Sequence, residues 1–438
     1  MKNLVFPILV ITFLVASCAP AGNIPSPGAL QPTLTLTAAP VLTDTPGRVD
    51  TPVTAATPSV IPTVEFTSSP PAVCRVEPIV PDMDTLAENN IPAASETDRA
   101  YGTLTPKVTI LSYCSYQRPA CRSLITNLAE LQQMYEDEVR IVLRQYPQPE
   151  VDDKSLLAAY AAEAAGLENR FWEMNNLLYT KQADWIDLTP DEFKTWLADQ
   201  SSSMNIKPAQ LEANMANEEV TSRVDNIIEE AAPLLITDTP VLFFNNILVK
   251  TSVNLESLLV LVDYFMLPEK AYSVCPPTTI ESGKEYFATF ETEKGDIVFE
   301  LFADIAPVAV NSFVFLANEG WYDDSTFFRV IPGFVAQGGD PSNSGLGAPG
   351  YAISREVDPS LRFDKAGLLA LSHNSEGLSG SQFFVTYTEL PELDGEFTII
   401  GQVLEGMDVL NSLRPRNPEV DEILLPADVL ISVTIEEK

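Results

Sequence analysis

Between residues 107 and 146 the hydrophobic pattern changes period twice, which narrows what this chain can fold into. "KVTILSYC" (107–114) is a β-branched, apolar run fit for a buried strand, and "VRIVLRQY" (139–146) is a second one. Between them, "RSLITNLAELQQMYEDE" sets Leu124, Leu128, Leu131 and Tyr135 at helical spacing. A long helical tract opens with "DDKSLLAAYAAEAAGLENRFWEMNNLLY", and a later strand follows at "PVLFFNN". This order predicts an α/β domain with helices packed on a sheet and a helical insert before its last strands.

From about Glu285 the pattern is of another kind. Alternating segments such as "DIVFELF", "SQFFVTY" and "FTIIGQV" are punctuated by Gly, Pro and Asp-Gly turns, as in an antiparallel β domain with few helices. One helix is expected at "APVAVNSFVFLANEG", with Pro307 in its first turn, Phe313, Leu316 and Ala317 on its buried side and Gly320 closing it.

At 438 residues the chain is too long for one ordinary core. The first twenty residues have Lys2, an apolar run from Leu4 to Ala16, and Cys18 after small residues, as in a secretory signal. "LVASC" resembles the bacterial lipoprotein signal, in which the cysteine receives a diacylglycerol; this implies a lipoprotein signal over residues 1–18, cut so that Cys18 becomes the new N-terminus, and an extracytoplasmic chain held at the cell membrane by lipid on that residue. Residues 19–73 are mostly Pro, Thr, Ala, Ser and Val and are expected to form an extended tether. With 61 acidic against 26 basic residues the net charge is -35, which argues against nucleic acid as a partner and is read as serving solubility.

The segments "SYQRPAC", "AAEAAGLENRFWEMNNLLY" and 218–246 resemble the DsbA-like branch of the thioredoxin fold, over a domain expected at 74–275. In that family a Cys-x-x-Cys turn caps the first helix and faces a cis-proline, a site that Pro240 matches. Here Arg118 stands in place of the attacking cysteine and Cys121 in place of the resolving one. Such a turn works through an exposed thiolate of low pKa at a helix N-terminus, which arginine does not supply. Cys114 lies near enough in sequence that a bridge to Cys121 and two inert buried thiols both stay open. Cys74 and Cys275 flank the domain, and a structural disulfide between them is the preferred pairing among three connectivities.

The segments "FFRVIPGFVAQGGD", "GSQFFVTY" and "LDGEFTIIGQVLEGMDVL" resemble the cyclophilin family of peptidyl-prolyl isomerases, over a domain expected at 279–438. The resemblance implies an eight-stranded barrel capped by helices, with a peptide groove on its outer face. Arg329 matches the catalytic arginine. Phe334, Val335, Phe384 and Leu393 match the proline pocket, and Gln337 and Gln382 match groups that hold the substrate backbone. Ser372 and His373 fall where Ala-Asn is common, on the groove wall. Glu392 replaces a frequent tryptophan and Phe397 a frequent histidine. No metal or cofactor is implied. His373 is the one histidine, and nothing around it has the form of a hydrolase triad or a zinc site.

The expected function is thus a membrane-anchored prolyl isomerase acting on proline-containing, unfolded or exported polypeptides, with the thioredoxin-like domain serving binding. The alternatives are a thiol-disulfide oxidoreductase using Cys114 and Cys121, and a scaffold silent in both domains.

Overall fold

A computed structural model describes residues 73–77, 93–374, 376–421 and 425–438. The expected signal peptide, Cys18 and residues 19–72 of the tether lie outside the described residues. The described chain opens with strand β1 (Cys74–Val76); the thioredoxin-like half then runs through strands β2 (Arg99–Gly102) and β3 (Val108–Cys114), helix α1 (Pro119–Met134) and strand β4 (Val139–Gln145). Six helices follow: α2 (Ser155–Gly166), α3 (Phe171–Thr180), α4 (Gln182–Trp185), α5 (Pro190–Ser201), α6 (Pro208–Met215) and α7 (Glu218–Ala231). Strands β5 (Val241–Phe244) and β6 (Ile247–Val249) and helix α8 (Leu255–Lys270) complete it.

Its sheet has the order β2-β4-β3-β5-β6. Strands β3 and β4 are parallel, with Ile110 opposite Ile141, as a crossover through α1 requires. Leu124, Leu128 and Leu131 put one face of α1 into the core with no exposed area, which is why their spacing was readable. Tyr135 ends the helix and donates from its hydroxyl to Asp263 of α8 at 2.6 Å. The Thr239-Pro240 bond before β5 is cis.

The second half runs β7 (Tyr286–Thr292), β8 (Gly295–Leu301), α9 (Pro307–Asn318), β9 (Ser325–Thr326), β10 (Arg329–Val330), β11 (Val335–Gly338) and β12 (Tyr351–Ser354). It continues through β13 (Leu368–Leu371), β14 (Leu378–Ser379), β15 (Phe383–Thr386), β16 (Thr398–Glu405), α10 (Met407–Asn411) and β17 (Val429–Glu437). Nine of these strands form one sheet, in the order β10-β11-β15-β13-β16-β8-β7-β17-β9. Its two edge strands, β9 and β10, belong to one six-residue segment broken at Phe327 and Phe328, so the sheet curls until its edges meet on the same piece of chain. The resemblance implies eight strands; the described sheet has nine, two of them the short pieces on either side of Phe327 and Phe328. Helix α9 has Pro307 in its first turn and buries Phe313, Leu316 and Ala317. Gly320 takes the turn after it at φ +71°, a conformation that disfavours side chains.

The described residues of both halves lie within one compact unit. Strand β1 pairs not with the thioredoxin-like sheet but with β12 of the second half, Cys74 facing Ile353. Cys74 and Cys275 are joined by a disulfide. A three-residue strand carries no periodicity from which its partner could be read. Among the described residues no helix is long and apolar enough to cross a membrane.

Candidate active site

Strand alternation divides the second half's apolar residues between two faces. Leu369, Leu371, Phe383 and Val385 join the main core. Leu368, Ala370 and Phe384 join a separate cluster with Val335, Phe363, Leu390 and Ile399, against which Phe334, Leu393 and Phe397 pack. Cross-strand register then builds a row on that second face: Arg329 opposite Gln337, Gln337 opposite Phe384, and Phe384 opposite Ala370. Directly opposed residues share a face, so the row sets a guanidinium, an amide and an aromatic ring side by side.

The row forms the floor of a cleft of about 480 Å³, lined also by Phe334, Val335, Ser372, His373, Leu393 and Phe397. Phe384 meets Phe397 edge-on at 5.1 Å and stacks on Phe363 at 5.9 Å. The His373 ring stacks on Phe397 at 4.4 Å, and its Nδ1–H donates to the Asn374 carbonyl at 2.8 Å. Its buried Nε2 has no partner among the described residues.

Arg329 is largely buried, with Cζ 5.9 Å from the centre of the Phe334 ring and Nε 3.7 Å from Glu419 Oε1. Gln382 donates to the carbonyls of Gly345 at 2.9 Å and Gly347 at 3.0 Å, and accepts from Gln337 Nε2 at 3.1 Å, so both amides are held in one orientation. The loop supplying those carbonyls is organised by the buried Asp340. Its carboxylate accepts from the Ser342, Gly345 and Gly347 amides and from the Ser342 and Ser344 hydroxyls. Gly347 passes so close that a Cβ there would meet Asp340 Oδ1 at 2.0 Å. A second hollow of about 410 Å³ adjoins the cleft through Gln337, Gly345, Ser372 and His373, has Gln382 in its lining, and takes Glu77 from beyond β1.

Of the sequence-read groove residues, Arg329, Phe334, Val335, Gln337, Ser372, His373, Phe384 and Leu393 line the first cleft, and Gln382 lies behind Gln337 in the second. Glu392 is exposed and lines neither. Sequence reasoning missed Phe328, Ser344, Gly345, Pro418 and Glu419. Phe328 sits inside a segment already singled out, and the glycines of 345–350 were a readable signal; Pro418 and Glu419 come from a stretch without periodicity.

The thioredoxin-like turn has a different character. Arg118 caps α1 and pairs through Nε with Asp152 at 2.8 Å and Asp238 at 3.7 Å. Cys114 and Cys121 are unbridged and buried. Burial, together with the Cys121 sulfur beside it, pushes the Cys114 thiol well above its usual range. Among the described residues no group of three or more His, Cys, Asp or Glu could hold a metal ion.

The model of the cyclophilin-type peptidyl-prolyl cis-trans isomerases matches residues 287–435, and a thioredoxin model matches residues 94–264. A peptidyl-prolyl cis-trans isomerase of Helicobacter pylori (strain ATCC 700392 / 26695) is 43% identical over 151 residues, covering 34% of this chain and 91% of that protein. Peptidyl-prolyl cis-trans isomerase B of Bacillus subtilis is 43% identical over 125 residues, or 28% of this chain and 87% of its own length. One from Synechococcus elongatus is 44% identical over 129 residues, covering 29% and 88%. The described fold places a thioredoxin-like domain ahead of the matched region. Through residues 287–435 the chain belongs to the cyclophilin-type peptidyl-prolyl cis-trans isomerases.

Proposed function

We propose that the cleft binds proline-containing stretches of exported, incompletely folded polypeptides and speeds rotation about their X-Pro bonds. The barrier to be lowered is that of a resonance-stabilised amide, about 20 kcal/mol, and the uncatalysed exchange takes tens of seconds or more. Breaking the resonance needs no nucleophile, metal or cofactor. It needs a grip on the ring and donors that favour the twisted amide over both planar forms. Phe334, Val335, Phe384 and Leu393 supply the grip, with Phe397 making the slot more apolar. Gln337, with Gln382 behind it, holds the substrate backbone, and Ser372 and His373 form a polar wall. Arg329 is the catalytic residue, directing its fixed fork of donors at the amide as the proline nitrogen turns pyramidal.

The carrying observation is the row of Arg329, Gln337 and Phe384 on one sheet face, beside an apolar slot. The test is isomerisation of an Ala-Pro peptide by the chain bearing Cys18→Ser, with and without Arg329→Ala. A loss of about 10²- to 10³-fold is expected, as for removal of one transition-state donor. Equal, near-background rates in the two proteins would sink the enzymatic reading.

Further parts of the proposal rest on the first segments and on the turn. Lipid on Cys18 anchors the chain to the outer face of the bacterial cell membrane, and residues 19–73 tether the folded part. Residues 94–264 follow the DsbA-like branch, and the domain binds client chains instead of oxidising them. Supporting this, Arg118 occupies the attacking position and pairs with Asp152, while both nearby thiols are buried.

A further inference from the structure

Arg416 is the charged side chain of the second half whose surroundings ask most for an explanation. Only 4% of it is exposed. Its backbone forms a two-bond bridge with Val330, Val330 N donating to Arg416 O at 2.7 Å and Arg416 N to Val330 O at 2.9 Å. Its Nε donates to the Phe328 carbonyl at 3.1 Å and its Nη1 to the Leu425 carbonyl at 2.7 Å. Arg416 therefore holds the residue on each side of Arg329, through one side-chain bond and two backbone bonds.

A buried cation with carbonyl partners alone is costly and needs a counter-charge. Among the described residues, the carboxylate that meets it is Glu256, whose Oε1 lies 2.8 Å from Nη2. Glu256 does not belong to the isomerase fold. It stands in the first turn of α8, whose Leu258, Leu261 and Val262 are buried in the core and whose start is fixed by Asn254 accepting from the Ser257 amide at 2.8 Å.

We infer that Glu256 and Arg416 are positioning residues for the isomerisation, the thioredoxin-like domain supplying the anion that holds the Arg329 segment in its catalytic place. Arg329 itself lines an open cleft and, among the described residues, has no short hydrogen bond at Nε to fix it. Its aim therefore depends on the backbone of Phe328 and Val330, and that backbone depends on Arg416. Without the carboxylate, Arg416 gains by turning toward water, the Phe328 contact loosens, and the donor fork shifts relative to the bound amide. Ground-state binding in the apolar slot, carried by other residues, stays as it was.

The inference rests on the isomerase reading, and its test separates the two. In the chain bearing Cys18→Ser, Glu256→Gln keeps the side-chain volume and removes the charge. NMR exchange on a proline peptide yields kcat and KM, at a temperature where near-UV circular dichroism shows every variant fully folded. A fall in kcat of about tenfold with KM within about twofold is expected, modest beside the effect of a misplacement of roughly an ångström in a reacting pair. The Arg329 Nε–H resonance should move as well. An unchanged kcat and an unmoved resonance, while Arg329→Ala still abolishes activity, would overturn the positioning role alone. A wild-type chain no faster than Arg329→Ala would overturn the isomerase reading and this inference with it.

Discussion

A guanidinium carries five donors in one fixed plane, so an arginine works on a twisted amide only if its plane is aimed. At Arg329 the proposed aim comes from strand register and from Arg416, not from Glu419, the carboxylate that reaches it among the described residues: Glu419 is 70% exposed and 3.7 Å away, a pair worth little in water. The two buried thiols of the other half show the opposite case, reactive chemistry withheld by surroundings. Cys114 and Cys121 are each at most 1% exposed, and burial opposes the thiolate at Cys114. In a chain with Cys18→Ser, a disulfide-exchange reagent is therefore expected to leave the native protein unlabelled over minutes and to find both free cysteines only in guanidinium. Fast labelling of the native chain would restore the oxidoreductase reading. Arg329 and the residues of the apolar slot could be picked out because each lies inside a short motif that resembles one of the cyclophilin family. The Glu256 contact was not legible, because a pair so distant in sequence meets only once two domains have packed.

Strand β4 shows how an element can be readable while its polar anchor is hidden. Its apolar run marks a buried strand, yet Arg144 within that run is only 2% exposed. The guanidinium is satisfied by Asp98 at 2.8 and 2.9 Å, the Tyr113 hydroxyl at 3.0 Å and the Ala93 carbonyl at 3.0 Å. Burial pushes the Asp98 carboxyl up, but hydrogen bonds from Arg144 and Ser95 outweigh it and leave the group below the usual carboxylate range. A folded-state pKa lower than the unfolded one means stability that is present above about pH 4 and lost as pH falls through the lower value. Asp98→Asn should cost about 3 kcal/mol at neutral pH, as for breaking one side of a buried pair, and should flatten the acid limb of a stability-against-pH curve. Denaturant titrations at several pH values check both; an unchanged acid limb would mean that another carboxylate sets it. The same limit of local reading explains the strand count, since nothing in "STFFRV" announces that Phe327 and Phe328 interrupt the ladder.

At the scale of the whole molecule, the chain enters the second half first, as β1 on β12, then builds the thioredoxin-like half, and returns at Cys275 to the same seam. Their positions in the sequence set the two cysteines at the domain's flanks, but only the fold reveals that the bridge ties a β1 already docked on the second half to the end of α8's half. The sequence separation between them is 201 residues, so the bridge encloses the thioredoxin-like domain and leaves residues 279–438 outside the loop. A cross-link constrains the unfolded ensemble of what it encloses, by about 5 kcal/mol for a loop this long in the chain-entropy relation and about 2–4 kcal/mol typically. Removing it with the pair Cys74→Ser and Cys275→Ser should therefore weaken one half selectively. Three of the four tryptophans, Trp172, Trp185 and Trp196, report on the enclosed half, and Trp321 lies in the other. In guanidinium the fluorescence transition of the double variant is expected at lower denaturant, while prolyl isomerase activity, measured after rapid dilution into peptide, persists to a higher concentration. The surviving activity should already be reduced, because loosening the enclosed half also loosens Glu256 from Arg416. Coincident transitions at the wild-type midpoint would show that the bridge contributes nothing to either half. Separated transitions with undiminished activity would show instead that the isomerase keeps its geometry without the thioredoxin-like domain.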